Sequence, residues 1–234
     1  MKVGIMQPYF FPYLGYWQLM NAVDKYVVYD DVNYIKGGWI NRNSILMNGK
    51  AHLVNLPLRG ASPNKLINEV MVDSNEAVRK KLLRSIEHAY QKAPYFQEVF
   101  PMIKQIVLHK QEDLGQFLLF SFRLVKEYLG MRTELILSSD LKKDATLKGY
   151  HKVIAICQEL GATTYYNAIG GVELYEPHRQ EFEEAGIELR FLKMSAVEYP
   201  QFGGEFVPNL SFIDVLMFNS KEQVNELLQQ YTLQ

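Results

Sequence analysis

The fold is decided near the N-terminus, by residues 2–31, KVGIMQPYFFPYLGYWQLMNAVDKYVVYDD. Residues 2–7 are an apolar run typical of a buried strand, and Pro and Gly interrupt residues 8–15. Residues 16–24 have helical character, and residues 25–32 form a second apolar strand that ends in acids. A strand, loop, helix and strand within about thirty residues predict a βαβ unit with parallel strands and a right-handed crossover.

The same alternation returns in the second half of the chain. Strands are predicted at 133–141, 163–171 and 188–194, helices at 148–161 and 176–186, and two further helices close the chain. This order predicts an α/β fold with a mainly parallel sheet of Rossmann-like, nucleotidyl-transferase-like type.

The middle of the chain interrupts the alternation. The Asn48-Gly49 dipeptide between apolar runs predicts a hairpin, and residues 67–72 predict a short strand. Helices are predicted from a Ser74 cap to about residue 93, near 95–110, and over 112–129, where Gly130 ends the last one. We therefore expect a single α/β domain over 1–234 with a mainly helical insert at about 74–130. Two lobes with a cleft between them are the alternative.

Composition limits the function. The chain has 234 residues, 48% of them hydrophobic and 22% charged, with 25 Lys+Arg against 26 Asp+Glu. The net charge of −1 argues against a nucleic-acid partner, because phosphate binding depends on excess positive charge. No stretch approaches the ~18 apolar residues of a membrane span.

The cysteine and histidine content predicts the compartment and the metal chemistry. Cys157 is the only cysteine and has apolar helical neighbours, so it is predicted to be buried and unreactive. Together with an N-terminus that lacks the pattern of a signal peptide, this predicts a reducing, cytoplasmic location. The five histidines are scattered and form no cluster with Cys157 at metal-ligand spacing, so no zinc site is predicted.

The aromatic residues are concentrated near the N-terminus. Of the chain's residues 13% are aromatic, and residues 7–16, QPYFFPYLGY, follow the first strand directly. Ligands of doubly wound sheets bind at such strand ends, and a helix N-terminus there favours phosphate or carboxylate. We expect a ligand to contact Gln7, Tyr13 and Tyr16, with Gly15 allowing close approach to the backbone. The alternative is a tight turn around packed aromatic rings.

A second polar cluster follows the second strand. Asp30 and Asp31 are candidates for binding a ribose or a metal, although a solvated strand end is an equal alternative. Lys36 and Arg42 can hold phosphate or carboxylate, and Trp39 can stack on a base or sugar. Amide side chains in the same segment suit a ligand rich in hydroxyl groups; they are Asn33, Asn41 and Asn43.

Further candidates lie toward the C-terminus. Asn167 and Gly170 follow a predicted strand and could line the same crevice, or could form an ordinary turn. Asp214 lies within the apolar run LSFIDVLMF, where a buried acid needs a partner. It is a candidate general base or a residue that orients Lys36 or Arg42; a structural aspartate is the alternative.

Two resemblances narrow these choices. The turn Tyr13-Leu14-Gly15-Tyr16 is similar in pattern to the His-x-Gly-His turn of nucleotidyl transferases and class I synthetases. Residues 5–45, IMQPYFFPYLGYWQLMNAVDKYVVYDDVNYIKGGWINRNSI, resemble the WbqC-like protein family. The resemblance continues through HAY at 88–90, APYF at 93–96, LGAT at 160–163 and LSFIDVL at 210–216. It departs at NAIGG, 167–171, where many relatives have Ser-Gly-Pro, and this departure bears on acceptor choice.

The family resemblance implies a function. Its members occur among genes for bacterial surface-polysaccharide (O-antigen) synthesis, and a transfer of glycine onto an amino sugar is implied. By the synthetase analogy, ATP with Mg²⁺ would activate an amino-acid carboxylate as an acyl-adenylate, and the amine of a nucleotide-linked amino sugar would attack it. Gln7, Tyr13 and Tyr16 would hold phosphates, Lys36 and Arg42 would stabilise their charge, and Asp30 or Asp31 would bind ribose or Mg²⁺. The alternatives are a non-catalytic protein that binds a sugar nucleotide or glycan, and an aminoacyl-tRNA donor.

Overall fold

The computed structural model describes residues 1–234. The strands, in chain order, are β1 (Lys2–Met6), β2 (Lys25–Val28), β3 (Arg42–Met47), β4 (Lys50–Asn55), β5 (Leu58–Arg59), β6 (Met71–Val72), β7 (Glu134–Leu137), β8 (Thr164–Ala168), β9 (Glu188–Met194) and β10 (Tyr231–Leu233). The α-helices are α1 (Leu14–Asn21), α2 (Glu76–Tyr90), α3 (Phe96–Val107), α4 (Leu114–Leu129), α5 (Gly149–Glu159), α6 (Val172–Tyr175), α7 (Arg179–Glu184), α8 (Phe212–Phe218) and α9 (Lys221–Leu227).

The central sheet has the order β10-β9-β8-β1-β2-β7. All its neighbours are parallel except β10, which pairs antiparallel with β9. The chain builds outward from β1 to β2 and β7, then returns to β8 on the other side of β1. The order therefore reverses between β1 and β8, and the crevice outside the carboxyl ends of such strands is where open α/β sheets bind ligands.

Apolar side chains cover both faces of the sheet. One core of 13 buried residues joins Val3, Ile5 and Val27 to α5 and α7. A larger core of 50 buried residues holds α1, α4 and α8 against the opposite face. Gly4 lies between Val3 and Ile5 on β1. A Cβ at this position would come within 3.1 Å of the Tyr26 ring, so the ring of Tyr26, on β2, fills the space that Gly4 leaves.

The mixed α/β class and the mainly parallel sheet are confirmed. The predicted hairpin is β3–β4, and its turn residues Asn48 and Gly49 both have positive φ, at 53° and 70°. Gly130 ends α4 in the left-handed conformation, as predicted. Helices α2, α3 and α4 occupy the region predicted as a helical insert.

Several boundaries differ from the prediction. Helix α1 begins at Leu14, two residues early, and Asn75 rather than Ser74 caps α2, because its side chain accepts a hydrogen bond from the backbone N–H of Ala77. Strand β10 was not predicted; it adds to the sheet edge by pairing with β9, a long-range contact that no local pattern reveals. None of the helices combines the length and the apolar content needed to cross a membrane.

Candidate functional site

A crevice opens at the carboxyl edge of the sheet. It has a volume of about 340 Å³ and is lined by Tyr9, Tyr13, Trp39, Asn43 and Asn209. The two tyrosines follow β1, Trp39 and Asn43 flank the start of β3, and Asn209 lies in the segment 195–211 that follows β9. We call this the aromatic crevice. It lies beside β1, one of the two strands between which the sheet order reverses, and its volume is that of a small-molecule site.

Trp39 is 47% exposed, and contacts of its backbone and ring fix its position. The backbone carbonyl of Trp39 accepts a hydrogen bond from the backbone N–H of Phe10 (3.1 Å). Arg42 donates from Nε to the carbonyl of Gly38 (3.0 Å) and from Nη2 to that of Gly37, and its guanidinium lies 5.7 Å from the centre of the Trp39 ring. Arg42 thus shapes the loop and places a positive charge against the ring. Lys36, in the same loop, is exposed.

The predicted amide side chains are largely committed to the backbone. Asn43 donates to the carbonyls of Phe10 (3.2 Å) and Phe11 (2.8 Å), which fixes the turn that carries Tyr9 and Tyr13. Phe11 has φ 42°, a conformation that is costly for a bulky residue, and these hydrogen bonds help to hold it.

The other two amides act at a distance from the crevice. Asn41 accepts from the Tyr34 hydroxyl (2.8 Å) and donates to the carbonyl of Leu56 (3.0 Å). Asn33 donates to the carbonyl of Pro63 (2.8 Å). Both therefore fix loops, and of the three asparagines only Asn43 lines the aromatic crevice.

The start of α1 is arranged differently from the expectation. A Cβ at Gly15 would lie 2.6 Å from the Tyr13 ring, so the ring of Tyr13 already occupies the space that Gly15 leaves open. Tyr16 is buried, packs against Tyr9 and Tyr26, and donates its hydroxyl to the carbonyl of Gln7 (3.0 Å). Tyr16 is therefore a core residue, and Gly15 serves close packing within the protein. Tyr13 lines the crevice, whereas the Gln7 side chain is half-buried.

The two acids after β2 have protein partners. Asp30 is buried and accepts hydrogen bonds from the backbone N–H of Ser139 (3.0 Å) and from its hydroxyl (2.6 Å). Burial raises the pKa of Asp30, although the hydrogen bonds from Ser139 oppose this shift. The Asp30 carboxylate thus fastens the turn after β7 to the end of β2.

Asp31 is neutralised within the protein. It forms ion pairs with Lys143 (2.9 Å) and Lys152 (3.1 Å), whose side chains are only 5% and 8% exposed. Lys152 also donates to the Asp31 carbonyl (2.6 Å) and lies 5.1 Å from the centre of the Tyr29 ring. Burial alone would raise the pKa of Asp31, but the nearby Ser138 and the ammonium groups of the two lysines lower it below its ordinary value. We call Asp31, Lys143 and Lys152 the lysine cluster.

The residues after β8 form a packed turn. Asn167 is buried and hydrogen-bonds to the hydroxyl of Tyr165. The Asn167 side chain fills the space beside Gly171, so a larger residue there would displace it. Gly170 has open space around its Cα and is the one predicted residue here that a ligand could approach.

Asp214 is buried in α8 among neutral donors. The hydroxyl of Tyr90 donates to Oδ1 (2.8 Å), while the hydroxyl of Tyr199 (2.8 Å) and Nε2 of Gln201 (2.7 Å) donate to Oδ2. Burial raises its pKa, partly offset by these hydrogen bonds. Its partners are therefore neither Lys36 nor Arg42, which corrects the expectation that it orients them.

The predicted site residues do not form one cluster. Tyr13, Trp39 and Asn43 share the aromatic crevice, and Arg42 supports it; Asp30 and Asp31 belong to separate contacts at the end of β2. Sequence reasoning missed Asn209, Lys143 and Lys152. Lys152 falls in the first turns of the helix after β7, a position that could have suggested a partner at the neighbouring strand end, whereas Asn209 offers no local signal.

The fold and the crevice define an α/β protein with a small-molecule-sized site beside the point where its sheet order reverses. No group of three or more His, Cys, Asp or Glu side chains is placed to hold a metal ion. The chain belongs to the WbqC-like protein family, which matches residues 7–226. It is 29% identical over 225 residues to the uncharacterized protein Rv1507c of Mycobacterium tuberculosis, and the alignment covers 93% of each chain. No solved structure matches the chain.

Proposed function

We propose that this protein is a transferase or ligase that attaches an acyl or aminoacyl group to an amino sugar in bacterial surface-polysaccharide synthesis. The observation that carries the proposal is the aromatic crevice, with an exposed indole, two tyrosines and two amide side chains around about 340 Å³. Family membership supports the biological setting, since WbqC-like proteins occur among genes of this kind.

The chemistry of the crevice suits a sugar. The face of the Trp39 ring can stack on the apolar C–H face of a sugar ring, and the phenols with the exposed Asn209 amide can hydrogen-bond its hydroxyls. The Arg42 guanidinium lies against the Trp39 ring, and Lys36 belongs to the same loop. The charge of both side chains would suit the phosphates of a nucleotide-linked sugar.

The strand order supports a nucleotide-dependent reaction. β1 is central, with β2 and β7 on one side and β8 and β9 on the other, and this order supports the proposal of a Rossmann-like sheet with a nucleotide at its carboxyl edge. In the proposed reaction a donor carboxylate attacks the α-phosphorus of ATP and releases pyrophosphate. The sugar amine then attacks the acyl carbon, loses a proton and releases AMP.

The two acids predicted to bind Mg²⁺, Asp30 and Asp31, do not fit a resident ion. The Asp30 carboxylate accepts hydrogen bonds from Ser139, and the Asp31 carboxylate forms ion pairs with Lys143 and Lys152. Neither therefore offers the free carboxylate oxygens that Mg²⁺ prefers. No step is therefore assigned to a protein-bound metal ion, and the phosphates of ATP would bring their own Mg²⁺.

The first experiment tests the crevice. Titration with UDP-N-acetylglucosamine and UDP-galactosamine is compared for wild type, Trp39→Ala and Phe202→Ala. Phe202 is a matched control because its ring is 46% exposed and lies outside the crevice. We expect Trp39→Ala to weaken binding about tenfold or more, as loss of a stacking ring does, with Phe202→Ala unchanged. Equal binding by the three proteins would reject the crevice as the sugar site.

The second experiment separates an enzyme from a binding protein. Exchange of labelled pyrophosphate into ATP is measured with each amino acid in turn. Exchange with one amino acid supports the ligase mechanism. Absence of exchange with any of them, while the sugar nucleotide still binds, would favour the alternative of a non-catalytic sugar-nucleotide-binding protein.

A further inference from the structure

A second cavity of about 320 Å³ lies under the segment 195–211. It shares Tyr13 and Asn209 with the aromatic crevice, so the two spaces are neighbours separated by these side chains. Asn209 has φ 57°, in the left-handed region. The second cavity is large enough for a small organic molecule.

Its walls are mainly apolar and aromatic. Nine of its 13 lining residues are hydrophobic, and they include the rings of Tyr13, Tyr199 and Phe206. Tyr199 and Phe206 meet edge to face with their ring centres 5.1 Å apart, which fixes both rings. Aromatic faces carry partial negative charge and attract organic cations.

The charge around the second cavity has one sign. Glu198 is the only charged residue that lines it, and no Lys, Arg or His does. Asp214 lies directly behind the wall, since its carboxylate accepts the Tyr199 hydroxyl (2.8 Å) and its neighbour Val215 lines the cavity. All three hydrogen-bond donors to Asp214 are neutral, so the protein supplies no cation against it. A positive charge in this cavity would meet aromatic faces and the Glu198 carboxylate, with the Asp214 carboxylate behind the Tyr199 hydroxyl.

We propose that the second cavity binds a primary ammonium group carried on a small apolar body. The ammonium would lie toward Glu198 and the Tyr199–Asp214 wall, and the apolar body would fill the space beside Tyr13 and Phe206. This assignment is independent of the proposed function, because it follows from the second cavity and does not need the aromatic crevice to bind a sugar or the protein to transfer a group.

The test compares ligands that differ in one charge. Cyclohexylamine and cyclohexanol have the same carbon frame, and their binding can be followed at neutral pH through the ¹³C-methyl NMR signal of Met194, which lines the cavity. The signal is assigned with Met194→Leu. We expect the amine to bind about tenfold more tightly than the alcohol. Glucosamine carries the ammonium on a hydroxyl-rich ring and should bind more weakly than cyclohexylamine.

Matched variants test the acids. Glu198→Gln should reduce the preference for the amine at least about threefold, whereas Glu205→Gln, a change at an exposed acid of the same segment outside the cavity, should not. Equal affinity for amine and alcohol, or a preference unchanged in Glu198→Gln, would overturn the proposal, as would tighter binding of glucosamine. Trp39→Ala should leave amine binding unchanged, so a failed sugar-binding experiment does not decide this one.

Discussion

Asp31 and Asp214 are both largely buried acids, and the protein treats them in opposite ways. Asp31 lies between two lysines whose side chains are almost completely buried. Asp214 is surrounded by two phenols and an amide and has no cationic partner. The pKa of Asp31 is lowered, and burial raises that of Asp214.

Asp31 therefore has a structural role, whereas Asp214 contributes to the proposed ammonium site. Neither the aromatic crevice nor the cavity under segment 195–211 is lined by the lysine cluster, and the charge of Asp31 is balanced by Lys143 and Lys152. The cluster ties the end of β2 to the loop after β7 and to α5. Asp214 stands behind a cavity wall, and its charge is left for something outside the chain to balance.

The largest expected effect comes from Asp31→Asn. This change leaves Lys143 and Lys152 buried without their counter-charge, which typically costs about 3–5 kcal/mol. The free energy of unfolding, measured with urea, should fall by that amount. The control is Lys25→Met, which removes one member of an exposed ion pair with Glu134 and should cost less than about 1 kcal/mol. Similar losses in the two variants would show that the lysine cluster is no more important than a surface pair.

A smaller loss is expected for Asp214→Asn. The new amide nitrogen cannot accept the hydrogen bonds that one carboxylate oxygen accepts now, but no buried cation is left unpaired. We expect a loss of about 1–3 kcal/mol, as for a buried hydrogen-bonding group left unsatisfied, measured by the same urea unfolding. A loss larger than that of Asp31→Asn would break the comparison, because it would place the greater structural role at Asp214.

The comparison also shows what the sequence could predict. The βαβ start, the β3–β4 hairpin and the cap of α4 follow from local patterns, and all are present. Tyr13 and Trp39 were predicted as ligand contacts from their loop positions beside strand ends, and both line the aromatic crevice.

Long-range partners could not be predicted in the same way. Asp31 meets Lys152, and Asp214 meets Tyr90, across 121 and 124 residues of chain. The sequence indicated that each acid needed a partner, but only the folded sheet and helices decide which one. Tyr16 was misplaced for a related reason: helix α1 begins two residues earlier than predicted, and Tyr16 is turned into the core.

The two acids should respond to pH in opposite directions. Asp31, with a lowered pKa, contributes stability that is present above its ordinary pKa of 3.8 and is lost as pH falls through its lower folded value. Asp214, with a raised pKa, favours the folded state when protonated, so its contribution is greatest below pKa 3.8 and declines as pH rises toward its folded value.

Urea unfolding of wild type and both variants between about pH 3 and pH 7 measures these contributions, at roughly 1.4 kcal/mol per unit of pKa shift. The advantage of wild type over Asp31→Asn should shrink toward acid, and its advantage over Asp214→Asn should grow. Parallel curves for the two differences would show that the two environments do not differ electrostatically.

The smallest effect is expected from removing Gln201, which joins Asp214 to segment 195–211. Gln201 donates to Asp214 (2.7 Å) and to the carbonyl of Val207 (3.2 Å), and it accepts from the Val207 N–H (3.0 Å). It therefore fastens segment 195–211 over the second cavity. Gln201→Ala should cost only about 1 kcal/mol of global stability, because it removes hydrogen bonds and no buried core side chain.

The same variant should increase hydrogen exchange at Val207 while leaving the exchange of β2 and α5 unchanged. Local opening of a loop costs less than global unfolding, so the two regions report separately. Gln223→Ala, which removes the hydrogen bond from the Ser220 N–H to the Gln223 side chain at the start of α9, is the control for loss of a glutamine elsewhere. If exchange rose equally around Asp31, segment 195–211 would be coupled to the lysine cluster, and the two acids would belong to one cooperative unit.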